Sequence, residues 1–152
     1  FSGQADFGRR VTCTISRNGD LIGAMHIQYI QANDGGESGG NDNNDKYANL
    51  IEEVTVEIGG QKIDKHYGKW LDIWADLTDG TAKKKADLMK KGTAFVPLQF
   101  WFCRNPGLAL PLIALQYHEV KLKFTWGAAG TVLVNQALEA AGRIQVLGCV
   151  DL

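Results

Sequence analysis

Apolar residues in this chain recur mostly at every second position, the period of a half-buried β-strand, with one clear stretch at helical spacing. From Tyr117 to Trp126 the alternation is strict. Tyr117, Glu119, Lys121, Lys123 and Thr125 fall on one face, and His118, Val120, Leu122, Phe124 and Trp126 on the other. Upstream, Phe95, Val96, Leu98, Phe100, Trp101 and Phe102 run together and predict a strand covered on both faces. Arg104-Asn105-Pro106-Gly107 turns the chain, and a second apolar run from Leu108 to Leu115 is broken by Pro111. Two strands and a stiff, proline-bounded connection predict the core scaffold.

The remaining pattern adds hairpins. Arg10 to Ile15 reads as a strand with Val11, Cys13 and Ile15 on one face. Arg17-Asn18-Gly19-Asp20 reads as a turn, because Asn-Gly tolerates the positive φ of tight hairpins. Leu21 to Ile30 is then expected to return as the partner strand. Leu50 to Ile58, Gly59-Gly60 and Gln61 to His66 predict a second hairpin. After Tyr67 the period changes: Trp70, Leu71, Trp74 and Leu77, with Ile73 adjacent, predict a short amphipathic helix. Core packing is the preferred role for its two tryptophans, ahead of a stacking platform for a base or sugar. Thr81 could cap a further short helix in the polar stretch Thr78 to Gly92. Thr131 to Ala141 fits strand or helix equally, and Arg143 to Leu152 reads as a final strand. About seven strands with one or two short helices in the loops predict an all-β, antiparallel β-sandwich.

Composition narrows the class. At 152 residues, 45% hydrophobic and 22% charged, the chain is long enough for one domain with a real core. A net charge of -1 gives no overall pull toward nucleic acid or anionic membrane. No apolar stretch approaches the ~20 residues of a membrane span. Cys13, Cys103 and Cys149 are odd in number and lie in apolar, strand-like runs, which predicts reduced, buried thiols and no disulfide framework. The chain starts at Phe1 and stops inside the apolar run ending at Leu152, so it reads as a piece of a longer polypeptide.

Candidate chemistry is sparse. The three serines, Ser2, Ser16 and Ser38, lie outside any G-x-S-x-G elbow, and no phosphate-binding glycine motif occurs. His26, His66 and His118 sit on separate elements, with no C-x-x-C spacing to supply a zinc site. His118 falls on the apolar side of its strand and is expected in the core. Asp72 and Asp76 share a helix face, where a solvated role is preferred to acid/base work. The Gly- and Asp-rich stretch Gln31 to Lys46 is better read as a solvated loop than as a calcium site. Lys83, Lys84, Lys85, Lys90 and Lys91 lack interleaved aromatics and read as a solvated face, not a phosphate track. No cofactor, no metal and no enzymatic activity are expected.

Three blocks carry a resemblance. Pro97 to Leu122, PLQFWFCRNPGLALPLIALQYHEVKL, is similar to the hallmark stretch of the major capsid proteins of nucleocytoplasmic large DNA viruses. Asp6 to Ile22 and Ile58 to Trp74 resemble two further blocks of that family, in the same order. The resemblance implies a double jelly-roll subunit, of which residues 1–152 form an incomplete N-terminal jelly roll. It also implies homotrimeric, pseudo-hexagonal capsomers tiling an icosahedral shell over an internal membrane. The implied partners are copies of itself, neighbouring capsomers, minor capsid proteins and the internal viral membrane. Direct nucleic-acid binding is not expected. The implied location is the virion capsid, after assembly in host cytoplasm.

Within that resemblance, the helix with Trp70 and Trp74 and the connection with Arg104, Asn105, Leu108, Leu110 and Leu112 are expected at subunit contacts or strand ends. Large apolar groups in loop-like segments usually serve a partner. Packing inside one subunit is weighed equally. The alternative function is a jelly-roll carbohydrate-binding module using the Asp/Asn-rich loop and exposed aromatics.

Overall fold

A computed structural model describes residues 2, 8–17, 19–30, 51–79, 93–127 and 143–148. Outside them lie the Gln31 to Lys46 loop with its calcium reading, the Thr81 cap, the five lysines from Lys83 to Lys91, Thr131 to Ala141 and Cys149.

The described strands are β1 (Arg10–Thr14), β2 (Leu21–Ile22), β3 (Met25–Ile30), β4 (Ile51–Ile58), β5 (Gln61–Tyr67), β6 (Thr93–Pro97), β7 (Leu110–Pro111), β8 (Val120–Trp126) and β9 (Arg143–Gly148). Two helices accompany them, α1 (Gly68–Asp79) and the single turn α2 (Trp101–Arg104). One sheet has the order β1-β8-β4-β5, a second has β6-β3-β9, and β2 pairs with β7 as a small ribbon. Every pairing is antiparallel. Both main sheets contribute to a single core: Val11, Val54, Val56, Leu122 and Phe124 from one, Met25, Ile27 and Val96 from the other. This is the predicted antiparallel sandwich.

Register explains why β8 was the most readable strand. Val11, Phe124, Val54 and His66 stand side by side on the inner face across β1, β8, β4 and β5. The next inward row is Cys13, Leu122, Val56 and Asp64. Their neighbours Thr12, Lys123, Thr55 and Lys65 form a row on the outer face. There Lys65 pairs with Glu53 and Lys123 with Glu57, so the face away from the core is held by cross-strand ion pairs. The Gly59-Gly60 hairpin forms as predicted, with φ of 59° and 83° at its two glycines. Two successive left-handed residues give the turn whose twist matches the strands it joins.

Four expectations are corrected. The first hairpin does not exist: β1 pairs with β8, and the expected return strand Leu21 to Ile30 divides into β2 and β3, which belong to the ribbon and the second sheet. The intervening segment crosses between sheets and is tied to a distant loop. Ile15 N–H donates to Val120 O at 3.0 Å, and Leu112 N–H donates to Asp20 O at 2.8 Å. An Asn-Gly signal reports that a chain turns, not which strand it turns toward.

The strand predicted over Phe95 to Phe102 stops at Pro97, and Trp101–Arg104 is helical. Proline offers no N–H to a ladder. Beyond it Leu98 N–H still reaches Met25 O at 2.9 Å, and Cys103 N–H closes a turn on Phe100 O at 2.9 Å. His118 is exposed, because β8 begins only at Val120 and His118 N–H closes a turn on Leu115 O. Finally, neither Trp70 nor Trp74 joins the core; Leu71 is the α1 residue that does.

Candidate assembly surface

Helix α1 follows β5 without a loop and packs against β4 and β5. Its apolar positions outnumber those one packed face can cover. Leu71 turns inward and is buried, while Trp70, Ile73 and Leu77, at spacings of three and four, form an exposed stripe. Trp70 and Trp74 lie with ring centroids 5.7 Å apart. Thr78 Oγ1 donates to Trp74 O at 2.7 Å, which satisfies the hydroxyl within the last turn of the helix.

The second segment reaches α1 from β6. Phe100 and Phe102 are buried and stack on each other at 5.7 Å, and Trp101 meets Phe102 edge-on at 5.0 Å. His66, the buried histidine among those described, stacks on Phe100 at 4.6 Å. That aromatic row fixes α2, and α2 places Arg104 with its guanidinium carbon 4.7 Å from the ring centre of Trp74. Arg104 Nε also donates to Gln99 O at 3.0 Å, which sets the angle of the guanidinium.

After α2, Asn105 Oδ1 accepts from Gly107 N–H at 2.9 Å and starts a 3-10 turn over Pro106–Leu108. Leu110 and Leu112 then enter the core, as β7 pairs Leu110 with Ile22 and Pro111 with Leu21. The seven candidate residues therefore separate. Trp74 and Arg104 touch each other, Trp70, Asn105 and Leu108 are exposed beside them in sequence, and Leu110 and Leu112 are packed inside the subunit.

A further loop was not anticipated. Arg17 donates through one guanidinium nitrogen to Gln116 O and through the other to His118 O, the latter at 3.1 Å. The β4–β5 turn meets the same loop: Gly59 N–H donates to Glu119 O at 3.0 Å. A Cβ on Gly59 would lie 2.6 Å from His118 Nδ1, so only glycine fits there. This loop displays Ile113 and Tyr117 to solvent. The sequence signal for both surfaces was an excess: more large apolar residues in 67–77 and 108–117 than a single packed face requires.

The chemistry of the described residues is quiet. They hold no group of three His, Cys, Asp or Glu side chains able to bind a metal ion, and no helix long and apolar enough to cross a membrane. Cys13 and Cys103 are free and partly buried. Burial pushes the Cys103 thiol up to about 11 and raises that of Cys13 as well, which makes both poor nucleophiles at neutral pH.

Comparison with known proteins agrees with this picture. The family described as "Major capsid protein N-terminus" matches residues 1–149. The major capsid protein of Pyramimonas orientalis virus is 50% identical over 153 residues, covering 88% of this chain and 37% of that protein. That of Paramecium bursaria Chlorella virus 1 is 41% identical over 139 residues, covering 82% of this chain and 30% of its own length. Among solved structures, the quasi-atomic model of the PBCV-1 virus capsid matches with a TM-score of 0.75 at 35% identity, over 95% of this chain and 38% of that one. The chain thus spans little more than a third of the relatives it matches, and its sandwich is a jelly roll. By both sequence and fold, the chain belongs to the major capsid protein family of large DNA viruses, in that family's N-terminal region.

Proposed function

We propose that this chain is the N-terminal jelly roll of a structural shell protein whose whole subunit forms homotrimers. Those trimers are pseudo-hexagonal capsomers that tile an icosahedral virion shell, assembled in host cytoplasm. The observation that carries the reading is the match of 95% of the chain to a viral capsid structure at 35% identity. Since the chain spans 37% of the Pyramimonas virus relative, a second jelly roll has room in the remainder of such a subunit. Function here is association, with no cofactor. Two free thiols raised by burial suit assembly in a reducing compartment. Neighbouring capsomers, minor capsid proteins and the internal membrane are the further partners of this reading.

Among the seven candidate residues, Trp70, Trp74, Arg104, Asn105 and Leu108 are assigned to contacts between subunits, and Leu110 and Leu112 to packing within one. The test is the mass of the full-length protein in solution by light scattering after size exclusion. A stable trimer at micromolar concentration is expected; a monomer would overturn the reading. The carbohydrate-binding alternative drew on the Gln31 to Lys46 loop, which lies outside the described residues, and no described feature favours it.

A further inference from the structure

Large exposed apolar side chains among the described residues gather in two places. One group follows β5 and α1: Ile63, Tyr67, Trp70, Ile73 and Leu77, the last 72% exposed. The other is the loop before β8, where Ile113 is 72% and Tyr117 87% exposed. Leu108 stands apart, four residues beyond Arg104. Isolated exposed leucines need no explanation, but a stripe of five within fifteen residues, 63–77, does.

Both groups are held in place from beneath. Leu71 anchors α1 in the core and Arg104 covers Trp74. The loop is clamped by Arg17 on Gln116 O and His118 O, and by Gly59 N–H on Glu119 O. Docking of side chains on a backbone already fixed loses little further entropy.

Strand addition at β5 is disfavoured. Val56 pairs with Asp64 and Glu57 with Lys62, so Ile63 is an extra, bulged residue on this edge strand. Bulges bend an edge away from regular pairing. What β5 and α1 offer is a side-chain surface.

Charge distinguishes the two groups. Helix α1 carries Asp72 and Asp76 against one lysine, Lys69. The loop is flanked by Arg17 and by Lys62 next to the Gly59-Gly60 turn, while Glu119 is paired with Lys121 at 2.7 Å. An acidic apolar stripe complements a basic apolar knob better than either complements itself. A ring of three identical subunits requires this kind of arrangement, because a cyclic trimer is closed by contacts between two different faces.

We propose that the β5–α1 stripe of one copy docks on the Ile113–Tyr117 loop of the next, forming the head-to-tail contact that closes the trimer. The proposal rests on the reading of the subunit as a self-assembling shell protein.

Two full-length variants test it: Ile73→Asp/Leu77→Asp, which spoils the stripe, and Ile113→Asp/Tyr117→Asp, which spoils the knob. All four positions are solvent-exposed, so thermal melting should confirm that each variant folds. Each alone should lose the trimer, with dissociation at concentrations at least tenfold above those for the wild type. Mixed in equal amounts, they retain one intact stripe and one intact knob, and native mass spectrometry should find a heterodimer that cannot close a ring. Trimers persisting in either variant, or no heterodimer on mixing, would overturn the proposal. So would unchanged trimers with a lowered melting temperature, which would place the stripe against the rest of its own polypeptide. A wild-type protein that is itself monomeric would instead overturn the shell-protein reading.

Discussion

The guanidinium of Arg104 lies over the indole of Trp74 at 4.7 Å, joining the connection after β6 to helix α1. A cation above an aromatic face is worth about 0.5–1 kcal/mol at an exposed site. Arg104→Ala in the full-length protein should therefore lower unfolding stability by about 1 kcal/mol, and a double-mutant cycle with Trp74→Ala should return a coupling of about 0.5–1 kcal/mol. Arg104→Lys should recover only part of it, since the bond from Nε to Gln99 O is lost with the guanidinium. A coupling of zero by urea titration would mean that the two groups are neighbours without being partners.

Gly59 should tolerate no side chain. Its φ of +59° lies in the left-handed region, which costs other residues about 1–2 kcal/mol. A Cβ there would also approach His118 Nδ1 to 2.6 Å, a separation that forces the ring to move. Gly59→Ala should thus destabilise by more than about 2 kcal/mol, the conformational cost and the clash acting together. Placing the same change in a His118→Ala background removes the clash and keeps the backbone cost, so the penalty should fall without vanishing. Equal penalties in the two backgrounds, measured by thermal or urea unfolding, would dismiss the contact.

These two relationships also mark the limit of what the sequence discloses. The Gly59-Gly60 hairpin was legible because a two-residue turn is encoded where it forms. So was β8, whose inner residues Val120, Leu122, Phe124 and Trp126 are all buried: one face meets the core and the other meets solvent. The pairing of Val11 with Phe124 was not legible, since nothing local to β1 names a partner that far along the chain. An Asn-Gly pair nearby suggested a hairpin that the fold does not use.

The same boundary runs through the candidate surface. Helix α1 was visible in its spacing, yet that spacing could not say that Leu71 would be covered while Ile73 and Leu77 were left out. Trp74 and Arg104 were both singled out, but their contact depends on α2, which replaced the predicted strand past Pro97. Leu110 and Leu112 looked like loop residues because Pro111 breaks the run; the two-residue ribbon with Leu21–Ile22 draws them inward. Ile113 and Tyr117 escaped notice because Arg17, which holds their loop, comes from a segment a hundred residues away.

Cys103 should be silent toward thiol reagents in the folded subunit. With its thiol at about 11, roughly one molecule in a thousand is ionised at pH 8, and the thiolate is the reacting form. Burial against the core supplies both the shift and the obstruction. Site-resolved alkylation followed by peptide mass spectrometry should find Cys103 unlabelled in native protein over minutes and fully labelled in guanidinium. Rapid native labelling would mean that the turn Trp101–Arg104 opens readily, and with it the support for Arg104.

The ion pair between Glu53 and Lys65 on the outer face makes stability depend on pH in a defined direction. Its hydrogen bond with Lys65 holds the Glu53 carboxyl below the ordinary glutamate range, and the same bond raises Lys65. A carboxyl whose folded pKa is depressed contributes fully above its unfolded value, about 4.3, and loses that contribution as pH falls through the folded pKa. For the lysine the sense is opposite: the contribution is complete below about 10.4 and is lost as pH rises through the raised value. Glu53→Gln should therefore lower the urea midpoint by a constant, small amount between about pH 5 and pH 9, and that difference should shrink toward zero at pH 3. Added salt at 1 M should shrink it as well, because both side chains retain contact with solvent. A difference that persisted at pH 3 would assign the effect to the packing of the Glu53 side chain between Thr125 and Tyr67 in its row, not to its charge.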